Sequence, residues 1–299
     1  MINNFQQDFL QHYPKIRHFV VLARLNNPIG IYLLLWPTLW GLWFAAEGFP
    51  GWHLFIVFTL GTVLTRSAGC IINDIADRKF DLLVKRTKNR PLATGDLALF
   101  EAVAFMTILL FISLILVLTT NWLTVGLAGI AAGIAAIYPY TKRFTHMPQV
   151  VLGVAFSFGI PMAFAATLDM VPNIAWLLLA ANVVWTVAYD TQYAMVDRDD
   201  DLRIGLKSTA ILFADMDKLM IGLLQILFIF TMLLLVRLVD LSWPYYLGLA
   251  VTSALFLYQQ VLIRDRERLN CLRAFRSNHW AGLSIFTGVL FHFWITIGT

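Results

Sequence analysis

The stretch LFEAVAFMTILLFISLILVL, residues 99–118, contains a single charged residue, Glu101. A helix needs roughly 20 apolar residues to cross the hydrocarbon core of a bilayer, so this stretch suits a transmembrane helix. Barrel strands would alternate in hydropathy instead of forming continuous apolar runs. Eight further apolar runs occupy residues 29–46, 53–72, 122–140, 148–167, 173–192, 217–236, 243–263 and 281–298. The sequence therefore predicts an all-α integral membrane protein with about nine transmembrane helices.

The composition agrees with a protein whose solvent is largely lipid. Hydrophobic residues make up 59% of the 299 residues, charged residues make up 13%, and the mean hydropathy is +0.73. This composition excludes an ordinary soluble domain. The net charge of +4 does not indicate nucleic-acid binding, because the basic residues lie in short blocks between apolar runs. We expect a single polytopic membrane domain over residues 1–299, in contact with the bilayer; its protein partners stay open.

The lysines and arginines predict the orientation of the chain. With nine spans, the loops on one side hold 21 of the 22 basic residues, and the other side holds Arg237 alone. Cytoplasmic loops of membrane proteins carry the excess of Lys and Arg. The N-terminus is therefore expected in the cytoplasm and the C-terminus in the periplasm. The segments 73–98 and 193–216 are expected to be cytoplasmic loops.

Residues 1–20 lack a continuous apolar core but repeat large apolar residues at helical spacing. An amphipathic helix lying in the membrane interface has this pattern. The residues that form it are Phe5, Phe9, Tyr13, Ile16 and Val20.

Three pairs of residues share an offset of 120 positions, which indicates a possible parallel internal repeat. Four helices separate the members of each pair, so both halves would run in the same direction. The second and sixth helices would then end on the same side of the membrane. The pairs are Pro28 and Pro148, Asp77 and Asp197, and Asp81 and Asp201.

A first charged block, NDIADRKFDLLVKRTKNR, follows the second apolar run at residues 73–90. Asn73, Asp77 and Asp81 are spaced four residues apart, so they share one face if the helix continues past the membrane surface. Like charges at this spacing repel each other. We therefore expect a compensating cation beside this face.

A second charged block, YDTQYAMVDRDDD, occupies residues 189–201. Asp190, Asp197 and Asp201 again share one helical face, and Tyr193 lies one turn before Asp197. Both acidic faces are predicted at cytoplasmic helix ends. Asp199 and Asp200 have a simpler interpretation as solvated carboxylates.

The chemistry of the expected cation follows from the ligand types. Every acidic residue in the two blocks is aspartate, and neither block contains His or Cys. Hard oxygen ligands suit Mg²⁺ or Ca²⁺, and Mg²⁺ in proteins commonly binds one or two carboxylates together with substrate phosphates. Basic residues interleaved with the aspartates favour a Mg²⁺–diphosphate site. The candidates for the phosphate are Lys79, Lys85, Arg86, Lys88, Arg90, Arg198 and Lys207, although the positive-inside rule alone also accounts for Lys85, Lys88 and Arg90.

The motif NDxxDxxxD followed far downstream by YDxxYAxxDxxDD resembles the UbiA superfamily of intramembrane aromatic prenyltransferases. The resemblance spans nearly the whole chain. One departure is Asn26, where the family pattern has Asp. Further matching segments are RLNNPIGIYLLLWPTLWGLW (24–43), SAGCIINDIADRKFD (67–81), RPLATG (90–95), YPYTKRFTHMPQ (138–149) and YDTQYAMVDRDDDLRIGLKSTAILF (189–213).

The resemblance implies a Mg²⁺-dependent enzyme of the bacterial inner membrane, with its active site facing the cytoplasm. It implies transfer of a polyprenyl chain from polyprenyl diphosphate to the carbon ortho to the hydroxyl of 4-hydroxybenzoate, in ubiquinone biosynthesis. Diphosphate ionisation would precede aromatic substitution. The implied metal ligands are Asn73, Asp74, Asp77, Asp81, Asp197 and Asp201.

The resemblance also assigns roles around the metal. Tyr193 and Tyr189 would stabilise the allylic cation, and Asp190 or Asp197 would accept the ring proton. Arg143 is the first choice for the carboxylate of the acid, and Arg66 is the alternative for it or for phosphate. The full catalytic set is Asp77, Asp81, Asp190, Asp197, Asp201 and Tyr193, and the substrate-binding set is Arg66, Lys79, Lys85, Lys142, Arg143, Arg198 and Lys207.

Two alternatives remain. Another member of the superfamily would use a different acceptor, such as a naphthoate, homogentisate or haem substrate. A cation-coupled transporter would place duplicated acidic motifs near the bilayer midplane, whereas here both are predicted at helix ends. The GxxxG of Gly129 and Gly133 is interpreted as a helix-packing motif.

Overall fold

The computed structural model describes residues 14–297, and every regular element in that range is helical. Two short 3₁₀ helices, Ala214–Met216 and Leu235–Arg237, flank one of the α-helices. The α-helices are α1 (Pro14–Leu22), α2 (Ile29–Ala46), α3 (Trp52–Asp81), α4 (Pro91–Thr94), α5 (Leu99–Leu118), α6 (Trp122–Thr141), α7 (Pro148–Ser157), α8 (Gly159–Leu168), α9 (Asn173–Ile204), α10 (Thr209–Phe213), α11 (Asp217–Leu234), α12 (Trp243–Leu262) and α13 (Arg268–Ile297).

The nine predicted apolar runs coincide with helices to within one or two residues. The seventh run extends into the 3₁₀ helix Leu235–Arg237, the eighth ends one residue after α12, and the ninth ends one residue outside the described range. Seven stretches of the described chain are long and apolar enough to cross a membrane. They are α2, α3, α5, α6, the pair α7–α8, α9, and residues 209–237 containing α11. The prediction of an all-helical membrane protein is confirmed.

Three boundaries differ from the sequence prediction. The segments 73–98 and 193–216 are not loops throughout, because α3 continues to Asp81 and α9 continues to Ile204. The fifth run is divided into α7 and α8 at Phe158. For the amphipathic segment, Phe5, Phe9 and Tyr13 lie outside the described residues, whereas residues 14–22 are helical.

Helix α2 lies at the centre of the bundle and packs against α3, α8 and α13. Its Trp40 stacks on Trp185 of α9 with ring centroids 5.5 Å apart, and Trp185 stacks on Phe228 of α11 at 5.5 Å. Trp40 donates a hydrogen bond to the carbonyl of Gly282 in α13. Aromatic stacking therefore joins α2, α9 and α11 in the core, and the indole hydrogen bond of Trp40 adds α13.

Buried amides tie the second half of the bundle together. Gln259 of α12 accepts from Gln192 of α9 at 3.0 Å and from Gln225 of α11 at 2.7 Å. Asn278 of α13 donates to Gln192 at 2.9 Å. Polar groups inside a membrane protein need such partners, because lipid supplies none.

Unlike the central helices of the bundle, α5 and α6 bury little of their surface inside the protein. Only 11% of the apolar window of either helix is buried inside the protein. Their exposed side chains include Phe100, Phe111 and Trp122. Apolar faces of this kind suit contact with lipid acyl chains.

The turn between α12 and α13 is fixed to the start of α11. The Arg266 guanidinium donates to both carboxylate oxygens of the fully buried Asp217 at 2.8–3.2 Å. These hydrogen bonds raise the pKa of Arg266 above its usual value. Arg198 of α9 also lies 3.5 Å from Asp217. One buried carboxylate thus anchors three parts of the chain.

Candidate active site

A cavity of about 1070 Å³ lies between α2, α3, α5, α6, α7 and α9. One part is lined by apolar side chains of α5 and α6, including Leu110, Leu114 and Val117, and by the helix backbone at Gly129. The ends of α3 and α9 line the other part, which carries almost all of the charge. A long apolar molecule with a charged head group matches this division.

Helix α3 places its predicted residues in the charged part. Asn73, Asp77 and Asp81 all line the cavity, as the four-residue spacing predicts, and so does Asp74. Asp77 is 3% exposed and forms an ion pair with Lys142 of the α6–α7 connection. Its second oxygen, Oδ1, is buried with no hydrogen-bond partner in the described part of the chain.

Two arginines neutralise the other carboxylates of α3. Arg24, which follows α1 and has a left-handed backbone with φ of 59°, binds both oxygens of Asp74 at 2.7 and 2.8 Å. Arg90 lies 2.9 Å from Asp74 and donates to both oxygens of Asp81 at 2.9 and 3.0 Å. Buried carboxylates require such compensation.

Helix α9 places Asp190, Asp197, Asp201 and Tyr193 along the same cavity. Arg86, in the connection between α3 and α4, binds Asp197 through three contacts of 2.6–3.1 Å. The guanidinium of Arg86 also lies 4.6 Å from the ring centroid of Tyr193. The two charged blocks therefore meet directly, which their separation in sequence did not reveal.

Asp190 lies deeper in the cavity, with different neighbours. It hydrogen-bonds with Gln149 of α7, a neutral side chain, and interacts with the charge of Arg66. Gln149 is held in turn, because its Oε1 accepts from the backbone N–H of Thr209 at 3.1 Å. Asp190 is thus oriented without a direct ion pair of the kind that holds Asp197.

Arg66 of α3 also lines the cavity. One of its nitrogens donates to the sulfur of Cys70 at 2.8 Å, and the guanidinium lies 5.3 Å from the ring centroid of Phe156. Its Nε is buried with no hydrogen-bond partner among residues 14–297. Gly30 of α2 makes room for it, since an added Cβ there would lie 2.7 Å from Arg66 Nη2. This is a cation with free donors.

Several predicted substrate-binding residues lie elsewhere. Lys207 and Lys142 line the cavity, whereas Lys79, Lys85, Arg143 and Arg198 do not. Arg143 is exposed, donates to the carbonyl of Ala76 and packs on the rings of Phe80 and Tyr140. These four residues therefore lie outside the cavity lining, and Arg198 lies 3.5 Å from Asp217 instead.

Sequence reasoning assigned no site role to Arg24 or Gln149, and it considered Arg86 and Arg90 only as phosphate candidates. Each of these four residues binds or neighbours a cavity aspartate. Signals for two of them were present, because Arg24 opens and Gln149 closes a segment quoted for the family resemblance. Their partners, however, are set by tertiary packing.

The donor set of the cavity fits a hard divalent cation. All the acidic ligands are carboxylates, and the unpartnered Oδ1 of Asp77 offers a coordination position. Within residues 14–297, no three acidic, His or Cys side chains already converge closely enough to hold a metal ion. Four of the aspartates instead have Arg or Lys partners, so metal binding would require these side chains to rearrange.

The family profile of the UbiA prenyltransferases matches residues 34–291. The chain belongs to this family. The family predicted from the sequence motifs is thus confirmed, and membership in a family of prenyl-transferring enzymes decides against the cation-coupled transporter.

Curated relatives of this UbiA-family protein agree with its membership of the family. It is 55% identical over 283 residues to a 4-hydroxybenzoate octaprenyltransferase of Chromohalobacter salexigens, and the alignment covers 94% of each chain. It is 54% identical over 278 residues to the Pseudomonas aeruginosa protein of the same name, covering 93% of this chain and 94% of that one.

Solved structures show the shared UbiA fold. A UbiA homolog from Aeropyrum pernix K1 superposes with a TM-score of 0.77 at 24% identity, over 87% of this chain and 97% of the other. A UbiA homolog from Archaeoglobus fulgidus bound to GPP and Mg²⁺ gives a TM-score of 0.69 at 18% identity, over 91% and 99%.

Proposed function

We propose that this protein transfers an octaprenyl group from octaprenyl diphosphate to the carbon ortho to the hydroxyl of 4-hydroxybenzoate, in ubiquinone biosynthesis. The observation that carries the proposal is one cavity with an apolar part for the chain, a charged part for the diphosphate and an arginine whose buried Nε has no hydrogen-bond partner in the described part of the chain. Relatives 52–55% identical are named for this acceptor and this chain length.

The same proposal includes the topology. Residues 1–299 form one membrane domain of nine spans, in which α12 and α13 pack along each other as the eighth and ninth. The N-terminus lies in the cytoplasm and the C-terminus in the periplasm of a bacterial inner membrane. Since 21 of the 22 basic residues then face the cytoplasm, the charged part of the cavity faces it too.

The diphosphate is bound by cations of the charged part. Arg86, Lys142 and Arg90 already lie against the cavity aspartates, and Lys207 lines the same region. Asn73, Asp74, Asp77, Asp81, Asp197 and Asp201 would hold Mg²⁺, which would neutralise charge on the diphosphate when bound. Lys79, Lys85 and Arg198 contribute positive potential from outside the cavity.

The acceptor acid is bound by Arg66, which replaces Arg143 as the first choice. Arg66 lines the cavity with an unpartnered donor, whereas Arg143 is exposed outside it. A guanidinium can bind a carboxylate through two parallel hydrogen bonds. The rings of Phe156 and Tyr138 line the cavity near this point and suit an aromatic ring.

The reaction then proceeds by ionisation and substitution. The bond between the prenyl C1 and the diphosphate oxygen breaks, and its electron pair leaves with the diphosphate. The cation formed at C1 is shielded from water by the cavity walls, with the ring of Tyr193 beside it. The ring carbon ortho to the phenol oxygen supplies a π electron pair to C1, and the proton on that carbon passes to a base.

Asp190 is the better candidate for this base. Both carboxylate oxygens of Asp197 already accept hydrogen bonds from Arg86. Asp190 has the neutral amide of Gln149 as its hydrogen-bond partner. Asp190 is therefore not engaged by an arginine fork of the kind that holds Asp197, which leaves its carboxylate accessible to the ring proton.

An acceptor panel tests the proposed substrate. Membranes containing the protein receive octaprenyl diphosphate, Mg²⁺ and either 4-hydroxybenzoate, a hydroxynaphthoate or homogentisate, and products are identified by mass and ring substitution. We expect the ortho-prenylated product from 4-hydroxybenzoate. Turnover of another acceptor alone would contradict the substrate assignment.

A further inference from the structure

The connection between α3 and α4, residues 82–90, carries Arg86 into the charged part of the cavity. Its second half is fixed to α3, because Thr87 donates to the carbonyl of Asp81 at 2.9 Å and Arg90 binds the Asp81 carboxylate. In the first half, Leu82 and Leu83 are more than half exposed, whereas Val84 is buried and lines the cavity. Something must hold this half beside α9 for Arg86 to meet Asp197.

Asp200 of α9 lies where this contact is made. It is 3% exposed and lies outside the cavity, unlike its neighbours Asp197 and Asp201. Its carboxylate interacts with the backbone N–H of Lys85 and accepts from Arg268 at 3.0 Å. One buried carboxylate thus connects the 82–90 connection, α9 and the first residue of α13.

The two contacts form a matched pair. Asp197 and Asp200 are three residues apart and neighbour each other on α9. The consecutive residues Arg86 and Lys85 meet these two carboxylates respectively. Two points of attachment fix both the position and the direction of a chain segment. The Arg86–Asp197 pair alone would fix the position of Arg86 but not the direction of the segment.

We propose that Asp200, with Arg268 as its counter-ion, is a positioning residue that holds Arg86 in place for the diphosphate of the prenyl donor. This inference rests on the proposed function, because it assigns Arg86 to diphosphate binding. It gives a role to a carboxylate that the sequence alone presented as solvated. Asp200 itself touches neither substrate.

Asp199 offers a matched control on the same helix. Its side chain is 69% exposed, and it lies 3.2 Å from the same Arg268. Asp199→Asn and Asp200→Asn therefore remove the same charge from adjacent positions and from the same partner. Only the second change releases Lys85.

The test measures donor and acceptor affinity together with tryptic cleavage in the full protein in nanodiscs. For Asp200→Asn we expect the KM for octaprenyl diphosphate to rise roughly tenfold, as for loss of a charge-assisted contact, with the KM for 4-hydroxybenzoate changed less than about twofold. Trypsin should cleave faster after Lys85, Arg86 or Lys88. Asp199→Asn should match the wild type in both readouts.

Equal behaviour of the two variants would overturn the proposal, as would equal increases in both KM values with unchanged cleavage. If Asp200→Asn does not fold, Arg268→Lys keeps the charge but loses the two-nitrogen contact, and it should shift the donor KM and the cleavage rate in the same direction. Failure of the proposed function would appear separately, as absence of prenyl transfer by the wild type, and the cleavage comparison would still decide the role of Asp200.

Discussion

Arg66 shows how a single residue is fitted to a site inside an apolar helix. Cys70 one turn away, the ring of Phe156 and the missing side chain of Gly30 together accommodate its guanidinium. None of these three neighbours is a carboxylate, and Asp190 interacts with the guanidinium through its charge, so the Nε donor of Arg66 stays available to a ligand. A buried N–H without an acceptor is costly unless a ligand accepts from it, which is the reason to assign Arg66 to the acid.

At this scale we predict the effect of Arg66→Lys, which keeps the charge but loses the planar fork. The KM for 4-hydroxybenzoate should rise roughly tenfold or more, since a charge-assisted hydrogen bond contributes about 1.5–3 kcal/mol. The KM for octaprenyl diphosphate should stay within about twofold. Steady-state kinetics of Arg66→Lys and Arg143→Lys, measured side by side, distinguish the two candidates. A larger change in acid KM for Arg143→Lys would contradict the assignment.

The acidic residues of the cavity could be predicted from the two charged blocks, but their partners could not. Asn73, Asp77 and Asp81 line the cavity because they share a helical face. That Arg86 pairs with Asp197, or that Arg24 pairs with Asp74, depends on how distant helices pack. The helical spacing of residues shows which side chains share a face of one helix, but it does not show which distant segment packs against that face.

At the scale of the helices, the GxxxG motif of α6 does not have the helix-packing role that the sequence predicts. The GxxxG of Gly129 and Gly133 was expected to pack against another helix, yet an added Cβ at either position would meet nothing within 4 Å. Gly129 instead lines the cavity, so its missing side chain leaves room for a bound chain. The motif predicts a close approach of helices only where a second helix is present.

We therefore predict that Gly129→Leu narrows the cavity without unfolding the protein. The kcat/KM for octaprenyl diphosphate should fall roughly tenfold more than that for the shorter geranyl diphosphate, a difference of about 1.4 kcal/mol. Gly133→Leu is the matched control, because Gly133 lies on the same helix outside the cavity lining. An equal loss with both donors in Gly129→Leu would argue against a path for the chain along α6.

The C-terminal ends of α3 and α9 were harder to predict than their centres, because the charges at these ends are compensated by residues from distant segments. Hydropathy falls near the start of the two charged blocks, so the predicted apolar runs end at residues 72 and 192. The helices continue for nine and twelve residues more, to Asp81 and Ile204. Arginine and lysine from other segments compensate the added charge, and Gly205, with φ of 72°, ends α9.

At the scale of the whole molecule, the distribution of charge gives the proposed topology. The described helices include seven that are long and apolar enough to span a membrane, and α12 and α13 complete the nine in our proposal. Placing the acidic ends of α3 and α9 in the cytoplasm brings the charged part of the cavity to a water-soluble metal ion and acid. The apolar part then faces the lipid side, from which a polyprenyl chain arrives.

Reporter fusions test this orientation. Alkaline phosphatase, which folds only in the periplasm, should be active when fused after Thr299 and inactive when fused after Gly205 or Arg264. Immunoblots control for expression. The reverse pattern of activity would place the charged part of the cavity on the periplasmic side. Phosphatase activity of the fusions after both Arg264 and Thr299 would contradict a single span between these two positions.

The most direct test of the central claim measures prenyl transfer by the wild type, Asp197→Ala and Asp199→Ala in the same membranes. The account predicts that EDTA abolishes ortho-prenylated 4-hydroxybenzoate, that added Mg²⁺ restores it, and that Asp197→Ala lowers kcat by roughly 100-fold or more, as for loss of a group that stabilises developing charge. Asp199→Ala should retain wild-type activity. Unimpaired transfer by a folded Asp197→Ala variant, or transfer that resists EDTA, would contradict a metal-assisted reaction in this cavity.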